Sequence, residues 1–289
     1  MRRMLSLQLG LVLLAALLAA WLVLYPYDAL PQIGAAALLP ALALYSASHL
    51  CRLLRLAMLS LDQRARVPAL MLAHGLTAFP ASLLPFKIGE IVRLGAFMRV
   101  YADRRKAFAV WLAERCADVL VLSLLMLAVS LFDVRLPGQA RTVFLLFLMV
   151  SVFGLLGLFA AAKTSVYLNR HLVLNSSSAR GLALLRASHA LRQLELALLR
   201  TLEGRLTGML LLSALIWLLE ISALALFIEH LAPSGNSFAA MFANGLLANL
   251  GAAQAAAAVH QYQPLVLAAL ALLSLATLTL ARGLHHRKP

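Results

Sequence analysis

The sequence predicts an all-α polytopic membrane protein with about six full spans and two re-entrant helical hairpins. Three observations carry this. Of the 289 residues, 63% are hydrophobic and only 12% charged, whereas a soluble domain carries roughly 25% charged residues. The mean hydropathy is +0.90, and the apolar residues run in long blocks rather than alternating, which selects helices. The basic residues, which bring the net charge to +14, fall in short clusters between those blocks. Cytoplasmic loops beside an anionic leaflet have that pattern.

The same clustering argues against a nucleic-acid partner. No polar block is large enough to fold as a soluble unit, so 1–289 reads as a single transmembrane domain. The two cysteines, Cys51 and Cys116, fall in or near predicted spans, which excludes a disulfide framework and a cysteine metal site. Neither a cofactor nor a metal is expected.

The start, MRRMLSLQLGLVLLAALLAAWLVLY, has a basic head and a long apolar body. It reads as an uncleaved first span over about 5–25. Pro26 and Pro31 bracket a short turn, and a second span follows to about Met58. Its far end carries Arg52, Arg55, Arg64 and Arg66, which assigns that end, and the N-terminus with it, to the cytoplasm.

Residues 68–84 and 88–100 are helical patterns separated by the breaker PFKIGE. Seventeen residues of helix rise about 25 Å, short of the roughly 30 Å hydrocarbon core, and the second arm is shorter still. Basic clusters flank both ends: Arg64 and Arg66 before, Arg99, Arg104, Arg105 and Lys106 after. A segment that starts and ends on the cytoplasmic side, with arms this short, predicts a re-entrant hairpin over 68–100. Its tip includes Pro85 and Gly89.

A span over about 107–132 carries Glu114, Arg115 and Asp118 in its first half, about 10–20 Å from its cytoplasmic end. Another runs over about 142–162. Residues 163–205 then form a cytoplasmic segment. Leu184, Leu191 and Leu198 recur every seven residues there, with Leu194 beside them, and Arg186, His189, Gln193 and Arg200 lie on another face. This reads as a basic amphipathic surface helix or as a solvated helix packed on loops.

The span over about 206–231 contains Glu220, and the last span, over about 264–281, ends in the basic tail ARGLHHRKP. With the turn at 233–237 outside and the tail inside, 238–259 must enter and leave on the outer face. Two broken elements of opposite topology point to an inverted repeat with a site near the midplane.

The candidate site follows from cost. Charge and helix breakers at membrane depth are expensive and mark function by default. Lys87, Glu90 and Arg93 share one side of the second hairpin arm by their spacing of three. In one reading Lys87 and Arg93 hold a lipid phosphate, for which the planar guanidinium fork is suited, and Glu90 orients Arg93. In the other the three charges clamp the hairpin. Glu114 and Asp118, four apart, repel each other unless a cation intervenes; Arg93, Lys87 or Arg115 is placed to supply it. Glu220 is a lone mid-span acid, read as a proton carrier, a partner for a hairpin base, or a simple interhelical hydrogen bond. His49, His74 and His260 have no metal-site spacing and read as packing or interfacial residues.

LLPFKIGEIVRLGAF followed by AERCADVLVL resembles the lysylphosphatidylglycerol synthase transmembrane-region family of flippase-like membrane proteins. The resemblance falls on Pro85, Gly89, Glu90 and Arg93, then on Glu114, Arg115 and Asp118. It implies a multi-pass protein of the bacterial inner membrane that handles an anionic or polyprenyl-linked lipid. The sequence has no polar block of the size that an aminoacyl-transferase domain needs, so lipid movement rather than lipid synthesis is the expected role. Its partner would be a membrane lipid or lipid-linked substrate. The alternatives are a membrane-embedded enzyme acting on lipid-linked phosphate, with Glu90, Glu114 and Asp118 around a divalent cation, and an accessory scaffold for enzymes of lipid or glycan synthesis.

Overall fold

The computed structural model describes residues 35–84, 88–101, 103–131, 138–175, 179–231, 241–242, 245–246 and 256–286. The first span, the hairpin-tip residues Pro85 and Lys87, and most of 238–259 lie outside the described residues. Among those described, all the regular structure is helical. In chain order the helices are α1 (Ala35–Leu59), a 3-10 turn (Leu61–Arg66), α2 (Val67–Leu83), α3 (Ile88–Val100), α4 (Arg104–Leu131), α5 (Gly138–Asn175), α6 (Ala179–Leu202), α7 (Leu206–Leu231) and α8 (Ala256–His286).

α1 and α7 pack along each other, and α8 packs on α2. The α2–α8 contact is close because Gly75 has no side chain: a Cβ there would collide with Thr277. Ser274 Oγ donates to the Gly75 carbonyl at 2.7 Å across the same contact. Phe79 of α2 is buried against Leu267, Leu270, Ala271 and Leu278 of α8.

α2 and α3 fold back on one another as a helical hairpin. At the tip, a Cβ on Gly89 would strike the Ala81 main chain, so only glycine permits the approach. At the base, Arg66 Nη1 donates to the Val100 carbonyl at 2.8 Å. The base is buried in a cluster of Leu56, Leu70, Phe97, Tyr101, Val110 and Leu198, which joins α1, α2, α3, α4 and α6.

Apolar side chains also cover the outside. Leu120, Leu124, Leu127 and Leu131 form an exposed stripe on α4, while Ala113, Glu114, Ala117 and Asp118 of the same helix are buried. On α5, Leu145, Leu146, Met149, Val150, Phe153 and Leu156 are exposed. Apolar outward and charged inward is the arrangement lipid solvent imposes. Two described segments, Leu206–His230 and Tyr262–Thr279, are long and apolar enough by themselves to cross a membrane.

Two boundaries differ from the sequence expectation. α5 does not stop near residue 162 but continues to Asn175, because 163–175 contains no proline or glycine to break it. α8 begins at Ala256 and carries Pro264 inside the helix; a proline costs an internal hydrogen bond, but packed neighbours tolerate it in membrane helices. The expected leucine stripe of α6 is also rotated. Leu198 is buried, Leu191 and Leu194 are half-buried, and Leu184 is exposed. Gly181, Ser188, Glu195 and Thr201 complete the buried face, where small and hydroxyl residues let α6 sit close to α4 and α5.

Candidate functional site

Four helices bring charged side chains to the middle of the bundle. α1 supplies Ser48, Arg52 and Arg55, spaced four and three apart and so on one face. α3 supplies Glu90 and Arg93, α4 supplies Glu114, Arg115 and Asp118, and α7 supplies Ser213 and Glu220, seven apart.

Arg55 is the innermost cation, with no exposed surface. Its Nη1 donates to Asp118 Oδ1 at 2.5 Å and to Ser213 Oγ at 2.7 Å, and its Nη2 lies 3.4 Å from Glu114 Oε1. Arg93 Nη2 donates to Glu114 Oε2 at 2.8 Å, and the guanidinium rests over the Phe97 ring, 5.2 Å from its centroid. Arg115 reaches Glu90 at 3.5 Å and Asp118 at 3.3 Å. Trp111 Nε1 donates to Glu90 Oε2 at 3.1 Å. Beside these, Arg52 Nη2 donates to Glu220 Oε1 at 2.6 Å, and Ser48 Oγ donates to the same oxygen at 3.0 Å.

Four arginines (52, 55, 93, 115) therefore face four carboxylates (90, 114, 118, 220). Desolvating one ion costs several kcal/mol, and only close pairing with further hydrogen bonds offsets it. The network meets the pairing part of that condition, although Arg55 Nε, Arg93 Nε, Arg115 Nε and Glu114 Oε1 have no hydrogen-bond partner among the described residues, and it cross-links α1, α3, α4 and α7.

A cavity of about 350 Å³ opens against this network. Its polar wall includes Arg52, Arg93, Glu90 and Glu220, with His49 and His74 beside them. Its other wall is apolar or weakly polar: Ala78, Ala81, Ser82 and Leu84 at the end of α2, and Leu270 of α8. One space thus presents charge on one side and hydrocarbon on the other.

The structure brings together Glu90, Arg93, Glu114, Arg115 and Asp118, all expected from the sequence, and joins Glu220 to them through the cavity. Glu220 is not a lone acid, since Arg52 and Ser48 hold it. The cation between Glu114 and Asp118 is chiefly Arg55, with Arg93 and Arg115 on the flanks. Arg52 and Arg55 were expected among the basic residues of a cytoplasmic helix end; here they face inward. The four-and-three spacing of Ser48, Arg52 and Arg55 inside an apolar helix was the available signal. His49 and His74, expected as packing or interfacial residues, line the cavity.

The fold and this site define a class: an all-helical membrane protein with a buried ion-pair network beside an amphiphilic cavity. The family model described as the lysylphosphatidylglycerol synthase TM region matches residues 5–258. The chain belongs to that family. Neither a curated protein nor a solved structure matches it.

Proposed function

We propose that the chain is a lipid flippase or transporter-like protein of the bacterial inner membrane, and that the cavity receives the anionic head group of its lipid. The single observation that carries this is the two-sided wall of the cavity. Arg52 and Arg93 stand on one side, and the alanines and leucines of α2 and α8 on the other. A head group would lie against the guanidiniums, whose planar forks suit phosphate, while its acyl chain follows the apolar wall into lipid. Membership of the family supports a role in lipid metabolism or transport.

In this reading the α2–α3 hairpin enters the membrane from the cytoplasmic side and returns, and about six further segments cross. Lys87, which lies outside the described residues, would on the sequence reading supply a further cation for the phosphate. Arg115 serves the network and holds Glu90 in place. Movement of the hairpin against α1 and α7 would expose the cavity alternately to the two sides.

Purified protein in liposomes carrying a fluorescent phosphatidylglycerol tests the proposal by chemical quenching of the outer leaflet. Wild type is expected to equilibrate the probe between leaflets. The double variant Arg52→Gln with Glu220→Gln removes a cation and its partner together and leaves no lone charge; it is expected to be folded and slow. No redistribution of this or of a polyprenyl-phosphate probe by wild type overturns the reading.

A further inference from the structure

His49 of α1 and His74 of α2 face one another at the cavity wall, ring centroids 6.0 Å apart. The ion pairs do not involve them. Among the described residues, His49 Nδ1 and both ring nitrogens of His74 are buried and have no hydrogen-bond partner. His74 is only 3% exposed, so its nitrogens have lost water without gaining a protein partner. The hydroxyls nearby are directed elsewhere: Thr77 donates to the Ala73 carbonyl and Ser274 to the Gly75 carbonyl. Buried polar atoms are almost always paired, so an unpaired imidazole at a cavity wall marks a place for a ligand.

The groups facing the two rings are Tyr45, edge-on to His49 at 5.0 Å, and Arg52, Arg93, Glu90 and Glu220 around the same cavity. Arg52 is held by Glu220 and Arg93 by Glu114. The described wall therefore carries both signs in balance, and its unpaired buried nitrogens are those of the two histidines and Arg93 Nε.

We propose that His49 and His74 contact the phosphate of a lipid phosphodiester head group, each donating a ring N–H to a non-bridging oxygen. The inference rests on the lipid-handling reading above and names the part of the substrate that is recognised. A neutral imidazole carries one N–H donor, and two imidazoles on different helices can grip one tetrahedral anion from two directions. Charge selects the class: a wall with balanced charge accepts a phosphodiester monoanion more readily than a monoester, which carries nearly two charges at neutral pH. A cavity of about 350 Å³ equals about a dozen waters at ~30 Å³ each, room enough for a phosphate with a small alcohol.

The test uses full-length protein in a phosphate-free maltoside detergent, labelled with 15N at histidine. Dihexanoyl phosphatidylglycerol is the probe. Dihexanoylglycerol, dihexanoyl phosphatidic acid and inorganic phosphate are the comparators. The phosphodiester is expected to shift the ring nitrogen signals of His49 and His74, while each comparator leaves them within a small fraction of that shift. By calorimetry, His74→Phe is expected to bind the phosphodiester at least tenfold more weakly, and His74→Gln, which keeps an amide donor, to recover part of the loss. Equal shifts with dihexanoylglycerol overturn the proposal, as do tighter binding of the monoester or of inorganic phosphate, or unchanged affinity in His74→Phe. Should His74→Phe not fold, the wild-type comparison of the four probes decides by itself. Binding at the histidines without any lipid movement removes the transport reading and leaves this one; transport insensitive to His74→Phe does the reverse.

Discussion

Arg93 and Glu114, on helices α3 and α4, meet at 2.8 Å with both side chains buried. The second hairpin arm is thereby tied to the bundle by a pair removed from solvent, where a lone charge is costly. The same guanidinium lines the cavity, so one residue serves both the hold on the hairpin and the wall of the site.

Removing either partner leaves the other unpaired in a low-dielectric interior. Glu114→Ala is expected to cost roughly 3–5 kcal/mol, the range for a broken buried pair, and Arg93→Ala a similar amount. Arg93→Met with Glu114→Leu, which deletes both charges at similar volume, is expected to recover most of that loss. Thermal unfolding followed by fluorescent size-exclusion chromatography reads all three. A double variant as unstable as the sum of the singles would show that the pair does not act as a unit.

Gly89→Ala is expected to disrupt the hairpin out of proportion to one methyl group. The new Cβ would meet the Ala81 main chain, and backbone cannot rotate away as a side-chain end can. Gly95→Ala, on the same helix with open space around its Cβ position, is the control. It is expected to be neutral or slightly stabilising, since alanine is the better helix former by about 1 kcal/mol. Protease sensitivity between α2 and α3 is the measurement.

Asp62 ties the 3-10 turn to the starts of α4 and α7, bonding Lys106 at 3.0 Å and Arg205 at 3.3 Å. Burial pushes its carboxyl upward, but hydrogen bonds from Lys106 and Arg205 outweigh that and hold it below the usual carboxylate range. A folded-state value below the unfolded one stabilises the fold above the unfolded pKa, near 3.9. That contribution is lost as pH falls through the native value. The side chain is 42% exposed, so the effect is small and weakened by salt. Asp62→Asn is expected to lower the melting temperature slightly at pH 7, with the difference from wild type shrinking below about pH 4.

Single-cysteine labelling distinguishes a re-entrant hairpin from a pair of full spans. In a background with Cys51→Ser and Cys116→Ser, Arg105→Cys is expected to react with a membrane-impermeant maleimide only from the cytoplasmic side. Ser82→Cys, near the tip, is expected to be unreactive from the outer side in intact cells. Outer-side labelling of Ser82→Cys would place the tip across the membrane.

The charges of the hairpin and of α4 were legible from the sequence because they stand out against an apolar background, and because spacings of three and four fix a helix face. Some helix bounds were legible for the same reason: α7 matches its expected span and α3 its expected hairpin arm. What the sequence left open shares one cause. Arg52 and Arg55 read as topology markers because a basic residue near a predicted helix end has the same composition whether it points to water or inward. His49 and His74 read as packing or interfacial residues because spacing along the chain does not report what lies opposite. The α6 stripe was placed by leucine, but small residues decided its packing.

By itself the sequence determined the membrane environment, the helical class, the hairpin segment and its charges. These follow from local hydropathy and from periodicity along single helices. Only the tertiary structure decided that Arg55 stands between Glu114 and Asp118, that Arg52 holds Glu220, and that His49 and His74 share a cavity. Each pairs α1 with a residue from another helix, and such pairing is set by how helices rotate against one another in a packed interior, which no single-helix pattern encodes.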